Sequence, residues 1–397
     1  MNLFVLGDIF SGLLPWFISG APPKGMPAVY NFFQYFGRSA DHRFEAIVVN
    51  PHISRVISFE NGSKIHLYKI PVKNRILFRL LCLPISYIYA LKHIRKGNFD
   101  VIYGMANYSL IASLLGKQYA KTTVCRVFGS LASDFVKKKR YSKVFSRHLL
   151  EYLTARFGRD ILISTNDGTQ YDALVEFAGR KGVFYHLYNG IDQAFHEKLS
   201  ALPPVSYTRG DVLKILSIGR LSHWKRHDLA LESIRILVQE YKLNAHLEIL
   251  GDGPDRSKLE ARVKDLGLEE FVTITPGQQQ SGYLEALQRS HVCLFCYDNS
   301  NLGNSLWEAV YAGRLIAVRS TGDTGTIFSH KKNSLVGAED KFPEDIAEKI
   351  NAWIQSDLAS TQELIEEAKS DISRLILPWP RRFETEIRII SDYKPSM

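Results

Sequence analysis

Short, unbroken apolar runs recur along this chain, spaced far enough apart to hold a helix between each pair. No other feature restricts the fold as much. In the first half the runs lie at 3–6, 46–49, 101–103, 123–127 and 161–164. A strand covered on both faces needs no polar alternation, so such runs with helix-length connections indicate a parallel, doubly wound sheet. The second half repeats the pattern. Lys214-Ile215-Leu216-Ser217-Ile218 reads as a strand, and Ala230, Ile234, Leu237, Val238 and Tyr241 follow at helical spacing. Further strand-like runs fall at 247–250, 272–274, 292–295 and 315–318. The expected class is α/β, with two Rossmann-like domains facing a central cleft.

The two halves divide in the stretch 188–211, which holds the turn signal Asn189-Gly190 and the linker-like Leu202-Pro203-Pro204. The tail, Pro378-Trp379-Pro380-Arg381 followed by 383–393, reads as a kink and a last helix. The expected domains are 1–195, 196–375, and a terminal helix, 376–397, that packs back on the first domain. At 397 residues there is room for both.

No run of about 18 apolar residues occurs, so no transmembrane helix is expected. The start, Met1-Asn2-Leu3-Phe4-Val5-Leu6-Gly7, lacks a basic segment before its apolar run and reads as a first strand. Four cysteines fit a reducing, cytoplasmic setting better than a disulfide framework. Cys293 and Cys296 have metal-like spacing, but they lie in an apolar run with no second Cys or His pair nearby, which favours a core strand. The net charge of +9 asks for an anionic partner. Nucleic-acid motifs are absent, leaving an anionic substrate or an anionic membrane surface.

Three motifs carry the chemistry. Gly219-Arg220-Leu221-Ser222-His223-Trp224-Lys225 follows a strand and offers two cations, Arg220 and Lys225, to a pair of phosphates. Two surface cations would look the same. Gly251-Asp252-Gly253-Pro254 is a tight turn after the next strand. Asn301-Leu302-Gly303-Asn304-Ser305-Leu306-Trp307-Glu308 opens a helix, where backbone N–H groups favour anions and hydroxyl oxygens. Gly303 admits close approach, and Glu308, one turn in, could accept from a ribose diol. No Asp-x-Asp triplet occurs, so no metal is expected at the leaving diphosphate.

These motifs, in this order, resemble those of retaining GT-B glycosyltransferases with a glycosyl transferases group 1 C-terminal domain. The Gly-Arg-Leu…Lys pattern, Gly-x-Gly-Pro, the late Glu308 followed by Ala309 and Gly313, and Asn189-Gly190-Ile191-Asp192 all match. The resemblance implies a nucleotide-diphosphate sugar as donor substrate, UDP-sugars favoured, and no separate cofactor. Arg220 and Lys225 would neutralise the diphosphate, Glu308 would hold the ribose, and Gly219 with the Ser300, Asn301, Leu302, Gly303, Asn304 and Ser305 segment would meet sugar and phosphates. Gly25 corresponds to the Gly-rich loop after the first strand. The chain departs from the family at two places. Ser300 stands where an earlier Glu is common. Phe128, in Arg126-Val127-Phe128-Gly129-Ser130, stands where a His is common, leaving Arg126 or Ser130 as substitutes.

The acceptor is expected to be a glycan or a lipid-linked sugar. Residues 75–96 are apolar with basic flanks, and they suit either an interfacial helix or one packed on the first sheet, with Pro84 as an interruption. Lys137-Lys138-Lys139-Arg140 is either a solvated loop or a contact with lipid head groups. A nicotinamide-dependent oxidoreductase would need Gly-x-Gly-x-x-Gly after a strand, and none is present. A nucleotide-sugar binder that has lost catalysis is the alternative that Ser300 and Phe128 keep open.

Overall fold

The computed structural model describes residues 1–9, 12–21, 23, 27–72, 74–278, 280–356 and 360–394. The chain forms two compact units. One comprises Met1–Asn166, Gln170–Gly190 and Pro378–Met397; the other comprises Asp167–Thr169 and Ile191–Leu377.

Among the described residues, the first unit is built on eight strands: β1 Asn2–Gly7, β2 Arg43–Asn50, β3 Arg55–Ser58, β4 Lys64–Lys69, β5 Val101–Met105, β6 Thr122–Val127, β7 Ile161–Thr165 and β8 Val183–Leu187. Their order is β3-β4-β2-β1-β5-β6-β7-β8. Every pairing is parallel except β3 with β4. β1 and β5 are buried along almost their whole length, as central strands of a two-faced sheet must be. One face is closed by the helix Pro27–Arg38, which starts on a proline and buries Phe32, Phe33 and Phe36. The helix Trp379–Asp392 joins that layer, with Phe383 edge-on to Phe32 at 5.9 Å. Its Arg382 and Glu386 form a buried ion pair at 2.8 Å, and Tyr103 of β5 donates to the same carboxylate.

The opposite face is covered by the helix Arg75–Ile94, whose Ala90 and Ile94 pack with Ile47 of β2 and Ile102 of β5. This helix continues through Pro84, where an interruption was expected. Packing of its apolar face on the sheet outweighs the single backbone hydrogen bond that proline removes. Among the described residues, no helix is long and apolar enough to cross a membrane.

Among the described residues, the second unit has six strands: β9 Leu213–Ile218, β10 Ala245–Leu250, β11 Val272–Thr275, β12 Val292–Phe295, β13 Leu315–Arg319 and β14 Leu335–Gly337. All pair in parallel, in the order β11-β10-β9-β12-β13-β14. Numbered within the unit this is 3-2-1-4-5-6, the dinucleotide-fold order. Cys293 and Cys296 are buried free thiols. Apart from Asp167–Thr169, the second unit begins at Ile191, earlier than the expected boundary at 195. The reason is that the helix Gln193–Ser200 already packs on second-unit residues, with His196 edge-on to Tyr311 at 4.3 Å.

Candidate active site

In the second sheet the strand order reverses between β9 and β12, which are neighbours. Open α/β sheets bind ligands beyond the carboxyl ends of the strands at such a point. The first and third motifs both fall there. Gly219, just after β9, has φ +152°, and a Cβ on it would come within 3.0 Å of the Tyr297 hydroxyl. Tyr297, two residues past β12, donates that hydroxyl to the Ile218 carbonyl at 2.6 Å. The two strand ends are thereby tied together.

The Gly251 turn serves the same spot. A Cβ on Gly251 would strike the Gly219 carbonyl at 1.9 Å, and one on Gly253 would strike the Leu221 carbonyl at 2.2 Å. The Leu221 N–H bonds to the Asp252 carbonyl at 2.9 Å. Both glycines let the β10 turn brace the backbone that carries Arg220.

Lys225 closes a short 3-10 turn, His223–Lys225. Its Nζ lies 3.3 Å from the centre of the Tyr297 ring and 4.1 Å from that of Trp224. Desolvation between the two rings pushes its pKa down to about 7, partly opposed by the Asp167 carboxylate. Arg220 is exposed, and its guanidinium has no hydrogen-bond or ion-pair partner among the described residues. Arg226, at φ +52°, is held in this left-handed conformation by Asp228 and Asp298, each 2.9 Å away. Arg319 reaches Asp298 at 2.7 Å as well. His227 is buried against Ser217 at 3.0 Å, and burial, with Lys225 nearby, lowers its pKa to about 4, so it is neutral.

The helix Asn304–Tyr311 starts after Gly303, whose carbonyl receives the Leu306 and Trp307 N–H groups at 3.0 and 3.3 Å. The first residues of the helix therefore present N–H groups outside the helical ladder. Ser305 Oγ lies 3.4 Å from the Tyr297 hydroxyl, which links the two motifs. Glu308 accepts from Tyr283 at 2.8 Å, and burial raises its pKa to about 7.

Not every residue singled out from the sequence faces this space. The Asn301 side chain is fully buried, donates to the Arg319 carbonyl at 2.7 Å and accepts from the Tyr297 N–H at 3.0 Å. It shapes the loop. Leu302 is buried too. Ser300 donates to the Asp167 carbonyl and accepts from the Leu302 N–H at 3.0 Å, so its hydroxyl is committed inside the protein. In the first unit, Arg126 is buried on the Ile163 carbonyl and on Thr165 at 2.8 Å, and Ser130 is bonded to Glu151. Neither replaces the missing His. Gly25 lies outside the described residues. A separate concavity of about 680 Å³, lined by residues such as His330, Lys349 and Glu367, contains none of the motif residues.

Tyr297, Tyr283, Asp167, Arg226 and Asp298 escaped the sequence reading. Their contribution comes from contacts between segments far apart in the chain. The one local signal is a tyrosine two residues past β12.

A cation pair, a helix start and a buried carboxylate gathered at the switch point of a 3-2-1-4-5-6 sheet, with a second parallel α/β unit, define a GT-B architecture. Residues 203–371 match the family described as "Glycosyl transferases group 1", and the fold is that of GT-B proteins. A curated relative is the 2-deoxystreptamine N-acetyl-D-glucosaminyltransferase of Niallia circulans, 23% identical over 270 residues, or 64% of this chain and 66% of that protein. Among solved structures, Anabaena Alr3699/HepE in complex with UDP is similar at a TM-score of 0.70 and 14% identity, covering 98% of this chain and 100% of that one. Sucrose-phosphate synthase from Thermosynechococcus elongatus is similar at a TM-score of 0.70 and 15% identity, covering 98% of both chains.

Proposed function

We propose that this protein transfers a sugar, with retention at the anomeric carbon, from a UDP-sugar to a glycan or lipid-linked acceptor in cell-surface polysaccharide synthesis. The observation that carries the reading is the grouping of Arg220, Lys225, the Asn304 helix start and Glu308 at one sheet switch point. Exposed Arg220 offers a planar fork to the diphosphate, and Lys225 offers a charge already stripped of much of its water. Glu308 suits a ribose diol. In transfer, the acceptor oxygen bonds to the anomeric carbon on the face from which the diphosphate leaves. A donor phosphate oxygen takes the acceptor proton, and the two cations and the helix start balance the charge of the departing diphosphate. The family match over residues 203–371 and the UDP complex of the Anabaena protein support the donor class.

A second reading, a donor-binding protein without catalysis, draws on Ser300, whose hydroxyl is spent on the Asp167 carbonyl. Thermal unfolding with UDP-, GDP-, ADP- and dTDP-sugars, without added metal, tests donor binding. Stabilisation by the UDP series is expected, as mass action requires of a ligand held by the folded state. Losing a charged hydrogen bond costs roughly 1.5–3 kcal/mol, so Arg220→Ala and Lys225→Ala should each weaken the donor about 10- to 150-fold. Equal binding by both variants would end the diphosphate assignment. Binding with neither transfer nor donor hydrolysis would favour the second reading.

A further inference from the structure

Outside the donor motifs, the first unit holds a group of side chains that suits a metal ion. In β2 and β4, residues two apart share a face of the sheet. Ile47 of β2 packs against the helix Arg75–Ile94, and β2 and β4 are in register with Ile47 opposite His66. Glu45, His66 and Tyr68 therefore stand on the face that this helix covers, and the helix lowers His93 into the same space. One ligand atom from each of Glu45, His66 and His93 lies within 4.8 Å of the other two. His66 Nε2 is 3.1 Å from Glu45 Oε1, and His93 Nδ1 contacts the same oxygen.

Two details set this group apart from an ordinary hydrogen-bonded cluster. His66 Nε2 is sealed from solvent and makes no hydrogen bond, although the carboxylate is close by. Its contact has the distance of a bond but falls outside hydrogen-bond alignment. The other nitrogen of His93 is 2.7 Å from the Tyr68 hydroxyl. Metal-bound imidazoles are oriented in this way, through the ring nitrogen that does not touch the ion.

We propose that Glu45, His66 and His93 bind one divalent transition-metal ion, with zinc the best match, and that Tyr68 is the positioning residue for His93. Two imidazoles and one carboxylate form a borderline donor set, suited to zinc and its neighbours and not to the all-oxygen sites of calcium or magnesium. Bonds of about 2.0–2.2 Å in a tetrahedral site place ligand atoms about 3.4 Å apart; the His66–Glu45 spacing of 3.1 Å is close to this, and His93 would draw back from the shared oxygen to admit the ion. A fourth position would fall to solvent, because all three side chains are only partly covered. The three ligands come from β2, β4 and the last turn of a helix weakened at Pro84. Bound there, the ion would fasten the C-terminal half of that helix to β2 and β4, next to the sheet edge at β3. None of these residues belongs to the diphosphate-binding motifs, for which no metal is invoked.

The test is titration of the chelator-treated full chain with zinc chloride, read by calorimetry and by thermal unfolding, with cobalt absorption reporting the ligand set. One equivalent is expected, with micromolar or tighter affinity, a higher unfolding temperature and a tetrahedral cobalt spectrum. His66→Gln and His93→Gln should each weaken binding at least tenfold, and Tyr68→Phe by about 10-fold. If the histidine variants do not fold, Tyr68→Phe, which keeps all three ligands, still decides. An absence of saturable binding would overturn the proposal. So would one-equivalent binding that all these variants retain unchanged, since it would place the ion on other histidines.

Discussion

Lys225 and Glu308 bear opposite charges when ionised, and burial moves both pKa values to about 7. If Lys225 meets the diphosphate and Glu308 the ribose, as proposed, donor binding needs a charged lysine and an ionised carboxylate. The lysine is charged below pH 7 and loses its proton above it, so affinity should fall as pH rises through 7. The carboxylate is ionised above pH 7, so affinity should also fall as pH drops through 7. A nucleotide-sugar diphosphate does not titrate in this range, which leaves a bell-shaped affinity profile set by the protein. Each limb should approach tenfold per pH unit. Lys225→Arg should flatten the alkaline limb, because guanidinium keeps its charge. Glu308→Gln should flatten the acidic limb. Calorimetric titration with a UDP-sugar between pH 5.5 and 8.5 would show this, and a wild-type profile that is flat would refute the ligand roles of both groups. The sequence singled out these two residues as candidates because their signal is local, a fixed distance from a strand end or a helix start. The perturbed pKa values were hidden, because Tyr297 and Trp224 enclose Lys225 only once β9 and β12 lie side by side, and Tyr283 reaches Glu308 from a separate helix.

At the level of elements, the central strands and the edge strand β11 were legible, and the strands at both rims of the first sheet were not. β9, β12 and β13 are nearly continuous apolar runs because both faces are covered. β3, β4 and β8 were missed. The first two lie at one rim of the first sheet and β8 at the other, where polar residues such as Lys64, His66 and His186 are tolerated. β14 has only three residues. The helices Tyr141–Arg147 and Leu149–Phe157 pose another problem. Tyr141 stacks on Phe177 at 4.9 Å and Phe145 also meets that ring, yet Tyr141, Phe145 and Leu149 remain 42–45% exposed. They follow directly on Lys137-Lys138-Lys139-Arg140. Apolar side chains beside a basic run suit peripheral contact with an anionic membrane, which would bring the protein to a lipid-linked acceptor. Each basic residue near such a surface contributes about 1 kcal/mol. Reversing two charges, in Lys139→Glu/Arg140→Glu, should therefore lower binding to phosphatidylglycerol vesicles by more than tenfold and leave phosphatidylcholine binding unchanged. Equal sedimentation of both proteins with anionic vesicles would remove this segment from the membrane contact.

Across the whole molecule, neither unit is a continuous stretch of chain. The first is completed by Pro378–Met397, and the second takes in Asp167–Thr169. The last helix sets Glu386 deep in the first unit. Burial alone would raise its pKa, but the Arg382 and Arg126 guanidinium groups hold the carboxyl below its usual range. Replacing one partner of such a pair leaves buried charge without compensation and costs roughly 3–5 kcal/mol. Glu386→Ala places that loss entirely in the first unit, whereas every residue assigned to the donor except Gly25 belongs to the second. Calorimetric unfolding of the variant should therefore separate into two transitions, which two-state behaviour forbids in a single cooperative unit. UDP at 100 times its dissociation constant should add about 2.7 kcal/mol of stability to the state that binds it. The later transition should move upward with UDP and the earlier one should stay in place. A single transition that responds as a whole would mean that the two units unfold together, and an earlier transition that moves with UDP would mean that residues of the first unit hold the nucleotide.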